Sequence, residues 1–293
     1  FNSQNIANTV WAYATVGHFS PKLFDAISHK AMEKLDSFNS QNIANTVWAF
    51  ATIGYKVAST KLDAFVFKAT SVIEEFKIQG IVNLLWSLAV FNFEDADAVD
   101  PFFSRITEGY NLYVNKKDNC LKISTEGLRQ LHQVSLWYNE EWKKDSLLPT
   151  KLKKESKLAF LSNKTCPSNL QTDVLKVFES LKDLGLVVVG EEIHCNQTGY
   201  SLDIVIRVRN SQKEIAVEVD GPSHFIKHSP NGSTILKRRQ IGSLSDRPLL
   251  SIPYWKWDEL SSIRNRKDTQ TNKKVEECDK KKGKQYYLQE CLQ

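Results

Sequence analysis

Apolar residues recur along the first half of the chain at helical spacing, and the same pattern returns at intervals of nearly constant length. Residues 1–12 read FNSQNIANTVWA, and residues 38–49 repeat all twelve letters. A looser copy begins at Phe76, with Ile78, Ile81, Asn83 and Trp86. A fourth, degenerate copy runs from Ser124 through Leu128 and Gln130 to Trp137. Repetition at this period is the mark of a solenoid, in which each unit buries its apolar face against the next. Ile6, Val10, Tyr13 and Gly17 recur at spacings of four, three and four, and Ala7, Trp11 and Ala14 widen the stripe. The spacing predicts a first helix from Gln4 to Val16, repeated from Gln41 to Ile53, each ended by a glycine (Gly17, Gly54). A second helix follows in each unit, Pro21–Leu35 and Thr60–Phe76, with Ser20 placed to cap and Pro21 at the first helical position. Residues 93–115 read as an acidic loop and a longer helix.

The period changes after residue 166. Leu170, Val174, Val177, Leu181 and Leu184 mark an amphipathic helix ended by Gly185. Strands are predicted at Leu186–Val189, with Ile193 as an extension, at Tyr200–Arg209, at Glu214–Asp220 and at Leu249–Tyr254. A turn near Asn210 joins the second and third. A basic helix spans Ser233–Leu244, and Asp258 opens a last one. The fold expected is therefore an α-helical hairpin repeat solenoid followed by a small α/β domain of order α-β-β-β-α-β. Its parts are an array over 1–138 (units near 1–37, 38–75, 76–115 and 123–138), a charged connection over 139–166, the α/β domain over 167–263 and a basic tail over 264–293. The tail, with Lys280-Lys-Lys-Gly-Lys284, reads as a solvated helix or a disordered segment.

Composition narrows this little. The 293 residues carry a net charge of +5, which permits a polyanionic partner without demanding one. No apolar run reaches the roughly 18 residues a membrane helix needs, so no membrane partner is expected. The five cysteines form no CxxC pair, which speaks against a zinc site or a disulfide framework. The chain opens inside a repeat, at Phe1, and reads as a piece of a longer protein.

Two sets of residues carry candidate chemistry. Asn8, Asn45 and Asn83 hold one repeat position, and Gln130 continues the column. Each amide offers a donor and an acceptor, so a row of them can read base edges; the same row can equally be a structural ladder between repeats. Trp11, Trp48 and Trp86 fall in the apolar stripe and are expected in the core. In the α/β domain, strand alternation puts Asp203 and Glu218 on one side of neighbouring strands, with Asp220 near the strand end. Clustered carboxylates need compensation. A divalent ion such as Mg²⁺, held by Asp203 and Glu218, is one answer; Lys237, Arg238 and Arg239 on the following helix are another. Gly221-Pro222 reads as a turn.

Three blocks in order, Ala216-Val-Glu218-Val-Asp220-Gly-Pro-Ser-His224-Phe225, Thr234-Ile-Leu-Lys237-Arg238-Arg239 and Ile252-Pro-Tyr254-Trp255-Lys-Trp257, resemble the RAP domain, over about residues 170–262. The resemblance implies an organellar RNA-processing factor like the FAST-kinase-like and octotricopeptide-repeat proteins, in a mitochondrion or a plastid. Its implied partners are single-stranded mRNA or rRNA and ribosomal or other RNA-processing proteins, and its implied roles are processing, stability, ribosomal RNA maturation and translation. The RNA-contacting set is then Asn8, Asn45, Asn83, Lys237, Arg238, Arg239 and Trp255. The resemblance also implies a fold similar to PD-(D/E)XK nucleases of the very-short-patch-repair type. That pattern asks for Asp, then Glu-x-Lys. Asp203 and Glu218 match, but Asp220 stands where lysine is expected. An active endoribonuclease would use Asp203, Glu218, Asp220, His224 as proton shuttle, and Lys237 or Arg238 as the missing cation, with Mg²⁺ its cofactor; without it no cofactor is expected. Three functions therefore stand: RNA binding, metal-dependent RNA cleavage, and a helical scaffold for protein partners.

Overall fold

The computed structural model describes residues 1–95, 97–116, 122–145, 148–162, 166–209, 213–262 and 273–292. The turn expected at Asn210 and the start of the tail at Arg264 lie outside them. The chain divides into two compact units, residues 1–163 with 225–240 and residues 164–224 with 241–293.

The first unit is helical. One layer is built from α1 (Ser3–Thr15), α3 (Ser40–Thr52), α5 (Ile78–Phe91), α7 (Thr125–Ser135) and α8 (Thr150–Leu161), each packed on the next. Flanking them are α2 (Pro21–Glu33), α4 (Ser59–Ser71) and α6 (Asp100–Lys116). The ends of the layer helices follow from local chemistry. Asn2 accepts the N–H of Asn5 at 2.8 Å, and Asn39 accepts that of Asn42 at 2.9 Å, so two otherwise orphaned donors are satisfied. At the other end the chain turns left-handed at Gly17, Gly54 and Asn92. The next N–H then reaches back into the last turn: His18 to Tyr13, Tyr55 to Phe50 and Phe93 to Leu88, each at 2.9 Å. Asn92 takes the place of glycine because asparagine tolerates this conformation best among residues with a Cβ.

The core of this unit runs continuously from Ile6 through Phe50, Leu85 and Phe103 to Leu152. Residue pattern and burial part company at one point. Trp86 is buried and Trp48 half-buried, as the stripe predicts, but Trp11 is 45 % exposed and is not a core residue. The second helix of each hairpin also stops earlier than the pattern suggests, closing in a 3₁₀ turn at Leu35–Ser37 and Ile73–Glu75. The charged stretch after residue 138 is more than a connection: α7 widens into a turn of π geometry over Leu136–Glu141, and α8 buries Leu152 and Ser156 against the layer.

Residues 225–240 complete the unit. A short hairpin, β4 (Phe225–Ile226) with β5 (Ser229–Pro230), leads into α10 (Gly232–Leu244), within which the division between the units falls. Leu236 is fully buried in the helical core. The fit is close enough to need glycine twice. A Cβ on Gly54 would come within 2.8 Å of the Pro230 carbonyl oxygen, and one on Gly232 within 2.1 Å of that of Ala51.

The second unit holds a four-stranded sheet in the order β1 (Leu186–His194), β2 (Ser201–Val208), β3 (Glu214–Asp220), β6 (Leu249–Pro253). The first two pairings are antiparallel and β3–β6 is parallel, which requires the long crossover containing α10. On one face, Ile204, Ile206, Val217, Val219 and Ile252 pack with Val174, Val177 and Phe178 of α9 (Asn169–Glu179), as the alternation predicts. Two expectations are corrected. The last strand ends at Pro253, and Tyr254 begins α11 (Tyr254–Ser262), because proline supplies no N–H to the ladder and its fixed φ suits a helix entry. The tail is neither wholly solvated nor disordered: α12 (Lys273–Cys291) buries Leu288 completely and packs Tyr287 against the core.

Candidate nucleic-acid interface

Four of the layer helices carry a polar row at equivalent positions, exposed on α1 and buried by α7, where Gln130 is 7 % exposed. Gln4 and Asn8 come from α1, Gln41 and Asn45 from α3, Gln79 and Asn83 from α5, and Glu126 and Gln130 from α7. These positions do not share one environment. Gln79 donates to Asn83 at 3.0 Å and to Gln130 at 3.3 Å, and accepts from Ser124 at 2.8 Å. Between α5 and α7 the row is therefore a structural ladder. The equivalent Trp86 and Gln133 are joined too, indole N–H to amide oxygen, at 2.9 Å. Between α1 and α3 there is no such bond among the described residues, and Asn8 is exposed. Asn45 is half-buried.

The cations of the basic block separate. Arg239 turns into the helical unit. Its guanidinium donates to the carbonyl oxygens of Ala89 and Val90, at 2.5 and 3.2 Å, and to both oxygens of Glu141, at 3.2 Å each. These carbonyls belong to the last turn of α5, whose partial negative charge favours a cation there. Gln240 adds a bond to the Gln133 carbonyl at 2.8 Å. Arg238 stacks over the Phe225 ring at 5.6 Å, and Lys237 is half-buried on the same helix.

In the second unit, the antiparallel register Ile204↔Val217, carried one step further, sets Asp203 across from Glu218. The Asp203 carboxylate accepts the N–H of Val219 at 2.7 Å, so it stands in for a backbone carbonyl where the ladder ends. Asp220 is buried, with one oxygen accepting from His224 Nδ1 at 2.9 Å and the other from the Ser251 hydroxyl at 2.6 Å. The bond to Asp220 orients the imidazole, which stays about one-third exposed (36 %), while Ser251 fixes the carboxylate. Ser251 and Gln171, which donates to the Asp203 carbonyl at 3.0 Å, complete the cluster. Neither was foreseen. A serine inside the apolar run Leu249-Leu-Ser-Ile252 was the available signal for the first, and the second has none in the sequence.

The acids of this cluster are largely engaged by the protein itself. One Asp203 oxygen and both Asp220 oxygens already accept protein hydrogen bonds, and among the described residues no three His, Cys, Asp or Glu side chains converge to hold a metal. Asp220 also occupies the position where the nuclease pattern has lysine.

The aromatic block resolves into two roles. Trp257 is buried and its indole N–H donates to Asp173 at 2.7 Å. Lys284 of α12 donates to the same oxygen at 2.6 Å and lies 4.9 Å over the Trp257 ring. Burial by itself would raise the Asp173 pKa, but the bonds from Lys284 and Trp257 and the lysine's charge outweigh it and hold the carboxyl below its usual range. Trp255 is half-buried and packs edge-on against Tyr254, ring centroids 5.2 Å apart.

The block from Val217 onward, with Asp220, His224 and Ser251 bonded together, falls inside a stretch, residues 217–271, that matches the family model of the RAP domain. The chain carries a RAP domain. Residues 1–119 match a second family model, that of the RNA-editing substrate-binding complex 6 protein. The two matches cover the helical layer through α6 and the RAP region from β3 onward. Together they support an RNA-binding protein. No helix among the described residues is long and apolar enough to cross a membrane.

Proposed function

We propose that this RAP-domain protein binds single-stranded RNA in an organellar, mitochondrial RNA-processing or editing pathway, with the helical unit as its principal RNA surface. The observation that carries this reading is the outward amide row of α1 and α3, which lies within the stretch similar to the RNA-editing substrate-binding family. Amides recognise base edges without charge, and α8 supplies the charge. Residues 1–149 hold fourteen Lys and Arg against sixteen Asp and Glu, whereas α8 has four lysines and one glutamate, with Lys151, Lys154 and Lys157 exposed. Phosphates are thus held at α8 and bases read along the layer.

Roles in ribosomal RNA maturation, transcript stability or translation are consistent with such binding. RNA cleavage is the weaker reading, because Asp203 and Asp220 accept bonds from Val219, His224 and Ser251 and aspartate stands where the nuclease pattern has lysine. The test is an equilibrium titration of fluorescently labelled single-stranded RNA, repeated with Asp203→Ala and Glu218→Ala in Mg²⁺. The expected result is salt-sensitive binding with intact RNA in every case. Cleavage by the native chain that both substitutions abolish would replace this reading with a nuclease.

One feature favours protein partners as well. A cleft of about 830 Å³ in the helical unit is floored by Val57, Leu62, Val90 and Phe93 and lined by three acids, Asp63, Glu94 and Asp95, against one cation, Lys56. Its net negative lining disfavours phosphate and suits a basic, partly apolar protein segment.

A further inference from the structure

The first two repeats enclose a pocket of about 300 Å³ between the N-terminal turns of α1 and α3. Asn2, Ser3, Gln4 and Asn8 line it from one side, and Ser37, Asn39, Gln41 and Asn42 from the other. Every one of these side chains is an amide or a hydroxyl; none is charged and none is apolar. The side chains of Gln4, Asn8 and Gln41 make no hydrogen bond among the described residues. Asn42 is 94 % buried (6 % exposed), and its Oδ1 accepts the Asn39 N–H at 3.4 Å. Its Nδ2 donates to no acceptor among the described residues. The residue is buried, yet this nitrogen opens on the pocket and can donate to whatever occupies it.

The other seams lack this arrangement. In the third repeat Lys77 replaces Asn39 and Gly80 replaces Asn42, so the buried amide is gone. At the seam after that, Gln79 spends its amide on Asn83, Gln130 and Ser124. The open pocket thus depends on two intact copies of the twelve-residue repeat.

We propose that this pocket is a nucleobase subsite, taking one unstacked base of a single-stranded RNA. The inference rests on the RNA-binding reading and locates base recognition at the first seam, where the notion of a uniform amide column would spread it over all repeats. A phosphate would call for a cation, and an aliphatic group for an apolar wall. A neutral, planar ring edge with alternating donors and acceptors matches free amides, as Asn and Gln match base edges elsewhere. The volume accommodates one such ring with water beside it.

The test uses the full chain and short labelled oligoribonucleotides, each of a single base, titrated at one salt concentration by fluorescence anisotropy. Asn8 and Gln41 are exposed, so the double variant Asn8→Ala/Gln41→Ala retains the fold, checked by its melting curve. Asn83→Ala serves as the comparison in the closed seam. The native chain is expected to prefer one base, and the double variant to lose that preference by about fivefold or more while keeping its affinity for the least favoured base. Asn83→Ala is expected to keep the preference. Native binding with no base preference, or a preference the double variant retains, overturns the pocket assignment and leaves RNA binding standing. No RNA binding by the native chain overturns both.

Discussion

Arg239, expected among the RNA contacts, makes its hydrogen bonds within the helical unit. Its guanidinium satisfies the last carbonyls of α5 and pairs with Glu141, whose side chain is 9 % exposed. Removing it leaves those groups unmatched in a partly dry setting. Arg239→Ala is therefore expected to destabilise the protein by about 3 kcal/mol in urea unfolding, and Arg239→Lys to recover only part of it, since one ammonium cannot replace a planar fork. An unchanged unfolding midpoint together with lost RNA affinity would return Arg239 to the RNA-contacting set. Asp173 makes a pH-dependent claim at the same scale. Its folded pKa is depressed, so its contribution is fully present above the unfolded value near 3.9 and is lost as pH falls through the lower folded value. Trp257 fluorescence should report a loosening of α12 below about pH 4. Asp173→Asn should show the looser signal already at pH 7, with the acid transition reduced; an identical transition in that variant would remove Asp173 from the account.

Among the elements, the inserted segment 225–240 is the most constrained. Gly232 meets the Ala51 backbone carbonyl, which cannot rotate away as a side chain end can. Gly232→Ala is expected to cost about 2 kcal/mol or more, with the loss seen in the unfolding of the helical unit. A neutral result would mean that α10 can shift without penalty and that the packing of Leu236 is loose. The helices themselves were legible in advance. Repeat length and the left-handed glycines follow from local patterns, whereas the capping asparagines Asn2 and Asn39 do not stand out in them and Ser20, placed to cap α2, makes no side-chain capping bond. The fourth strand is one residue shorter than its pattern predicts, because Pro253 suits both a strand edge and a helix entry. The helical α8 was hidden because its lysines dilute a stripe of which Leu152 and Ser156 are the only buried members.

At the level of the whole molecule, the mild charge of +5 conceals an uneven distribution, and that predicts salt behaviour. If Lys151, Lys154 and Lys157 each hold a phosphate, log affinity should fall against log salt with a slope of about −2 for single strands. Their joint replacement by glutamine should flatten that slope while leaving base preference intact. A slope unaffected by the replacement would place the phosphates elsewhere. The sequence alone determined the helical repeat array, the α/β domain after it, the sidedness of the strands and the RAP signature, because all of these are written in short-range periodicity and in contiguous motifs. Tertiary structure decided what the motif residues do. It turned Arg239 into a helix clasp and Asp203 into a substitute for a strand carbonyl, and it tied Trp257 through Asp173 to the tail. It also split one recurring asparagine position into a closed ladder at Asn83 and an open pocket at Asn8. The reason is physical: periodicity fixes which way a side chain points, but whether it then finds a partner depends on the neighbour across the seam, and that neighbour lies dozens of residues away in the chain.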